Sequence, residues 1–220
     1  MPEILFQDGA LAVCIKPAGA PSEGEGPQAM PALLSAQLGG PFFPVHRLDQ
    51  PVGGVMVYAR TQKAAAALSR AVQTGAFEKE YLAVLPARPD EDAGTLRDLL
   101  FYDRKRSKSF PAARMRAGVK EASLSYRVLD GADALCLVQV RLHTGRTHQI
   151  RVQFASRRLP LLGDGKYGSR IDCPAALWSA RLRFPHPADG RTMEFTAQPP
   201  DSFPWNRFRP EQLCPPPFLL

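Results

Sequence analysis

Three Asp-Gly pairs, each set between short apolar runs, constrain this chain more than any other feature. ILFQ and LAVCI flank Asp8-Gly9, SLSYRVL and ALCLVQVRL flank Asp130-Gly131, and ARLRF and MEFTA flank Asp189-Gly190. Asp-Gly readily supplies the positive φ angles of a tight hairpin, so each pair predicts two antiparallel strands joined by a turn. GGVMVYAR adds a strand with no polar face, hence one buried on both sides. EYLAVL is another strand. Helical signals are fewer. A short candidate runs from Pro31 to Leu38. Thr61 can cap a helix through KAAAALSRAVQT that Gly75 stops. In THQIRVQFAS, Ile150 and Phe154 fall four apart on one face, with Thr147 as the expected cap. Many strands paired by their turns and few helices make an α+β fold with a mixed, mainly antiparallel sheet. The chain has 220 residues and neither a repeat nor a visible linker, so one domain (1–220) is expected. Residues 86–120 read as a basic insertion loop, and the Pro-rich tail from Pro199 reads as irregular.

Charge narrows the partners. Lys and Arg outnumber Asp and Glu by 28 to 21, a formal charge of +7, which favours a polyanion because cationic side chains displace its condensed counterions. The density is greatest between Asp103 and Lys120, which holds Arg104, Lys105, Arg106, Lys108, Arg114, Arg116 and Lys120. Such a run is either a solvated surface loop or an RNA-contacting one. Hydrophobic residues at 45% and charged residues at 22% allow a sizeable core and exclude a disordered chain. Cys14, Cys136, Cys173 and Cys214 form no CxxC pair and no cluster with histidine, so no metal site is expected. MPEILFQDGA lacks the basic start and apolar run of a secretory signal, and no stretch approaches the ~20 apolar residues of a membrane span. A cytoplasmic protein without membrane contact, and a monomer, is the expectation.

Polar clusters interrupt the apolar elements at three places: His46-Arg47-Leu48-Asp49 before the buried strand, Glu78-Lys79-Glu80-Tyr81 at the start of another, and Thr144-Gly145-Arg146-Thr147-His148-Gln149-Ile150-Arg151 where a strand turns into a helix. Polar groups at the ends of buried strands are where scaffold and exposure meet. Each also has an ordinary explanation: an Arg and an Asp as a structural ion pair, Tyr81 as core, His46 and His148 as hydrogen-bonded structural histidines. No carboxylate dyad, Gly-rich phosphate loop or GxSxG elbow is present. Taken one at a time, the clusters support a basic α+β protein and nothing more.

In order, they resemble the RluA-type pseudouridine synthases, from Ile4 to about Ala197. ILFQDGALAVCIKPAGAP is similar to that family's opening hairpin and Lys-Pro-x-Gly turn, and HRLDQPVGGVMVYAR to the motif that carries its catalytic aspartate. EKEYLAVL resembles its Lys-x-Tyr motif, and TGRTHQIRVQFASRRLPLLGDGKYG its long third motif. Departures occur where the family usually has Thr-Ser-Gly and this chain has Val52-Gly53-Gly54, at Gln153 where relatives often carry His, and at Ser179 where many show His. The resemblance implies an antiparallel-rich mixed sheet with a central catalytic cleft flanked by helices. Because the aspartate motif begins by His46, it also implies that the accessory N-terminal RNA-binding domain of many relatives is absent, leaving RNA to be gripped by the catalytic domain.

The implied reaction isomerises uridine to pseudouridine in ribosomal or transfer RNA, without cofactor or metal. It breaks the glycosidic bond, turns the uracil and rejoins it through carbon. By resemblance Asp49 is the catalytic carboxylate, adding covalently to ribose or base, or acting as the base that leads to a glycal. Burial disfavours a carboxylate's charge and a nearby guanidinium restores it; the resemblance gives that part to Arg151, whose fork can bind a carboxylate twice. Tyr81 is expected to stack on the target base and relay a proton. Arg47 is suited to fill the place of the flipped nucleotide, while Arg104, Lys105, Arg106, Lys108, Arg146 and His148 are expected to contact RNA. Two alternatives stay open: a catalytically inactive RNA-binding or RNA-chaperone protein on the same fold, and an unrelated basic enzyme such as a nuclease.

Overall fold

The Asp8-Gly9 pair turns the chain where the sequence places it. In the computed structural model, which describes residues 1–218, strands β1 (Glu3–Gln7) and β2 (Leu11–Lys16) pair antiparallel, and Asp8 Oδ1 accepts the backbone N–H of Ala10 at 2.8 Å and of Leu11 at 3.0 Å. Helix α1 (Met30–Leu38) and the short strand β3 (Phe43–Pro44) follow. Strand β4 (Gly53–Ala59), the apolar run, is buried at every residue and pairs antiparallel with β2. Helix α2 (Gln62–Gln73) begins at Thr61, whose Oγ1 accepts the Ala64 N–H at 3.1 Å, and places Ala64, Leu68 and Ala71 against Val55, Val57 and Leu182. Strands β10 (Leu177–Pro185) and β11 (Thr192–Thr196) form the last hairpin, and β10 joins β4 in parallel at Gly53 and Gly54. These elements make one compact unit, Met1–Lys79 with Trp178–Pro199, in which the strand order is β1-β2-β4-β10, with β11 on β10 and β3 on β4.

A second compact unit comprises Glu80–Leu177 and residues 200–218. Its strands are all antiparallel, in the order β5-β9-β8-β6-β7: β5 (Glu78–Leu85), β6 (Ala93–Asp103), β7 (Lys108–Pro111), β8 (Val119–Ala132) and β9 (Leu135–Leu142). Helix α3 (Gln149–Ala155) carries Val152 into a small core with Leu100, Ala122 and Tyr167. Together the elements are those of an α+β protein with mostly antiparallel strands.

Three local expectations are corrected. About half of the span read as an insertion loop is sheet, since β6 and β7 form a hairpin with only Arg104–Ser107 between them. AGTLRDLLFYD escapes notice because its apolar residues do not alternate; pairing along β8 organises it instead. The β8–β9 turn falls at Asp133-Ala134, with φ of 49° and 65°, rather than at Asp130-Gly131, because a bulge between Val128 and Asp130 shifts the register and carries the ladder through Gly131. His148, in the left-handed region at φ 55°, takes the N-cap position of helix α3 in place of Thr147 and makes no side-chain capping bond. The tail holds two short 3-10 turns, Trp205–Arg207 and Pro210–Leu213.

Candidate active site

Asp49 lies in the segment between β3 and β4 and is partly exposed, flanked by buried Leu48. A short bulky run cannot hold a fixed shape alone, and here the turn after β2 grips it from end to end. Ser22 Oγ donates to the Leu48 carbonyl at 2.7 Å and accepts the Leu48 N–H at 3.1 Å. The Tyr58 hydroxyl fixes Ser22 in turn, donating to its carbonyl at 2.9 Å. Gly19 N–H donates to the Gln50 carbonyl at 2.8 Å, and Gln50 Nε2 returns a bond to the Gly19 carbonyl at 3.0 Å. The Val52 N–H closes the turn on the Asp49 carbonyl at 2.9 Å.

At the centre of this arrangement is Lys16, fully buried at the end of β2. Its ammonium donates to the carbonyls of Pro17 at 3.0 Å, Ala20 at 2.6 Å and Gln50 at 3.2 Å. Burial pushes the ammonium down to about 8, while the charge of Asp49 opposes that shift. Lys16 belongs to the Lys-Pro-x-Gly turn and is a site residue that sequence reasoning missed; its signal was a cation closing an otherwise apolar strand. His46 is the structural histidine of its ordinary reading. Nε2 accepts the Val57 N–H at 3.3 Å, and burial, then nearby Lys79, hold the ring down to about 3, so it is neutral at physiological pH. Arg47 points outward in an exposed ion pair with Glu23 at 2.8 Å.

The remaining residues named from the sequence belong to the second unit. Tyr81 is buried on β5 opposite Val140. Its neighbour Glu80 is also buried; its two carboxylate oxygens accept Gln139 Nε2 at 2.7 Å and the Phe218 N–H at 3.0 Å. Arg151 is buried on α3, and its guanidinium forms a two-pronged pair with buried Asp164, Nε to Oδ2 at 2.7 Å and Nη2 to Oδ1 at 2.8 Å. Asp164 is a partner that sequence reasoning missed. It stands in the GDGKYG segment with no spacing relation to Arg151 that would single it out.

The cations divide into two kinds. Arg104, Lys105 and Arg106 are exposed at the β6–β7 turn, where Asp103 Oδ1 accepts the N–H groups of Lys105 at 2.9 Å and Arg106 at 3.1 Å. Arg146 is exposed and donates to the Glu121 carbonyl at 2.8 Å. Lys108 is half-buried and, with His148 and Arg151, converges on Tyr167. Among the described residues, no group of three His, Cys, Asp or Glu side chains is placed to hold a metal ion, and no helix is long and apolar enough to cross a membrane.

The departures from the family pattern are accommodated. Trp178 lies directly on the Cα of Gly53. Ser179 is buried and donates to the Val55 carbonyl at 3.0 Å, and Gln153 donates to Asp98 at 2.7 Å.

Comparison with known proteins bears on the family. The profile of the RNA pseudouridylate synthase family matches residues 10–156. An uncharacterized RNA pseudouridine synthase of Mycobacterium bovis is 37% identical over 163 residues, covering 71% of this chain and 52% of its own length. The ribosomal large subunit pseudouridine synthase D of Vibrio vulnificus is 36% identical over 173 residues, with the same coverage of 71% and 52%. The chain thus spans about half the length of these curated relatives. Among solved structures, human RNA pseudouridylate synthase domain containing 4 superimposes with a TM-score of 0.75 at 25% identity, covering 90% of this chain and 88% of that one. With the aspartate segment, the Lys-x-Tyr strand and the first half of the third motif inside the matched span, the chain belongs to the RNA pseudouridylate synthase family.

Proposed function

We propose that this protein isomerises uridine to pseudouridine in RNA, with Asp49 as the catalytic residue. The carrying observation is the aspartate segment itself. A partly exposed carboxylate stands on a backbone pinned by Ser22, Gly19 and Lys16, and the Lys16 ammonium, itself out of water, faces its charge. A fixed carboxylate with an adjacent cation is what glycosidic chemistry at a ribose requires, because reorganisation has been completed before the substrate arrives.

In the reaction the N1–C1′ bond breaks, the uracil turns, a C5–C1′ bond forms, and the proton on C5 is lost while N1 gains one. Asp49 serves at the ribose or base, as nucleophile or as general base. We assign Tyr81 and Arg151 to the same reaction from their motif positions, Tyr81 as the flat wall and proton relay and Arg151 as the catalytic cation. The target uridine must leave its stack, and exposed Arg47 is the side chain suited to the vacated place. Arg104, Lys105, Arg106 and Arg146 grip phosphate. Ribosomal RNA is the first substrate to test, since a relative carries that name, and transfer RNA the second. The working form is a cytoplasmic monomer.

The test uses RNA labelled with tritium at uracil C5, in a buffer free of divalent metal. Isomerisation releases the label to water, and Asp49→Asn abolishes release. RNA binding by the wild-type protein without release from ribosomal or transfer RNA would replace this reading with that of a binding protein.

A further inference from the structure

The turn from Asp164 to Tyr167 meets Arg151 on two sides. Its first residue forks onto the guanidinium edge, and its last presents a ring whose centroid is 5.1 Å from the guanidinium carbon. The turn is closed by the Tyr167 N–H on the Asp164 carbonyl at 3.0 Å, so edge and face are set by one rigid piece of backbone. That piece is latched to the β6–β7 hairpin. Lys108 Nζ donates to the Lys166 carbonyl, and Lys166 Nζ donates to the Ser107 carbonyl at 3.0 Å. The Tyr167 hydroxyl accepts the Ser109 N–H at 2.9 Å and lies 2.9 Å from His148 Nδ1. The Lys108 ammonium also stands 4.8 Å from the Tyr167 ring centroid and 5.7 Å from that of Phe110. Lys108 therefore differs from the exposed cations beside it. Its charge is spent on a carbonyl and two aromatic faces, which attract a cation through their quadrupoles.

We infer that the Asp164–Tyr167 turn positions Arg151, and that Lys108 and Tyr167 are positioning residues acting through this turn, not RNA contacts. This rests on the proposed function, which gives Arg151 its catalytic part. A guanidinium held at edge and face keeps one orientation, and slackening either lets it move by a fraction of an ångström, a displacement to which a catalytic group is sensitive. The same latch ties the cations at the hairpin tip to the element that holds Arg151.

The experiment compares the full-length wild type with Lys108→Met, Lys108→Arg and Tyr167→Phe, the last keeping the ring while removing its anchor to Ser109 and His148. Two quantities are read: the single-turnover rate at saturating RNA, and the slope of log affinity against log salt. Lys108→Met and Tyr167→Phe should lower the saturated rate roughly ten- to a hundredfold and leave the salt slope unchanged, with Lys108→Arg recovering most of the loss. In contrast, Arg104→Ala with Lys105→Ala and Arg106→Ala should lower the slope by ~0.7 to 0.9 per lost phosphate contact. A Lys108→Met protein that loses such a step in slope, or keeps its saturated rate, overturns the inference. The Arg151 Nε–H resonance supplies a readout independent of activity. Its ring-current shift should change in Lys108→Met and Tyr167→Phe, and an unchanged resonance in both overturns the positioning role. Absence of isomerisation by the wild type defeats the proposed function instead, and leaves that resonance to decide the geometry.

Discussion

Restoring the family's serine at Gly53 should damage this protein. Gly53 opens β4 in parallel register with Trp178, and a Cβ added there would lie 2.4 Å from Cζ3 and 3.0 Å from Cε3 of the indole, and 3.1 Å from the Lys16 carbonyl oxygen. The indole cannot easily retreat, being only 8% exposed and held by a bond from Nε1 to the Ala197 carbonyl at 2.9 Å. Gly53 is not in the left-handed region, so the cost is steric, whereas Gly54, at φ 119°, would add backbone strain. Overpacking of this kind costs about 1–3 kcal/mol. Trp178→Ala alone should cost about 3–5 kcal/mol, chiefly as lost burial and cavity. In the double variant the two faults partly cancel, since the space vacated by the indole admits the serine; the pair should cost about 1–3 kcal/mol less than the sum. Equilibrium unfolding in urea, followed by circular dichroism for all four proteins, measures the cycle. Gly53→Ser within about 0.5 kcal/mol of wild type, or a strictly additive double variant, would refute the reasoning.

Asp49→Asn should fold and bind RNA yet release no tritium from C5-labelled uridine; near-normal turnover would remove Asp49 from the mechanism. Arg151→Ala should destabilise the protein by about 3–5 kcal/mol, because the buried Asp164 carboxylate loses a two-pronged partner. Arg151→Lys should restore only part of this, having no fork, and denaturant midpoints would show it. His46 is depressed to about 3 from 6.5 by burial and Lys79, so the unfolded chain takes up its proton first as pH falls. Stability contributed by the neutral ring is complete above pH 6.5 and is lost on acidification towards the folded value. Relative to His46→Gln, the wild type should lose on the order of 3 kcal/mol between neutrality and about pH 4, at ~1.4 kcal/mol per pH unit. Parallel stability curves for the two proteins over that range would show the histidine titrating freely.

What the sequence determined by itself was local. The hairpin at Asp8-Gly9 and the helix capped by Thr61 follow from contacts within a few residues, and the buried strand at Gly53–Ala59 from its unbroken apolar run, so their signals are complete in the chain. The motif order was equally legible, and it led to the family. What only the tertiary structure decided were the partners that depend on distant segments. Lys16 meets the Gln50 carbonyl from 34 residues away, and Lys108 meets the Lys166 carbonyl from 58. The departure at Gly53 reads as a missing serine until Trp178 is seen lying on it. The β6–β7 hairpin looked like a loop because pairing along β8, not its own apolar pattern, makes it sheet. The physical reason is common to all of these. A chain records its own turns and periodicities, but the neighbour that satisfies a buried charge or fills the space above a glycine is chosen by the packing of segments remote in sequence.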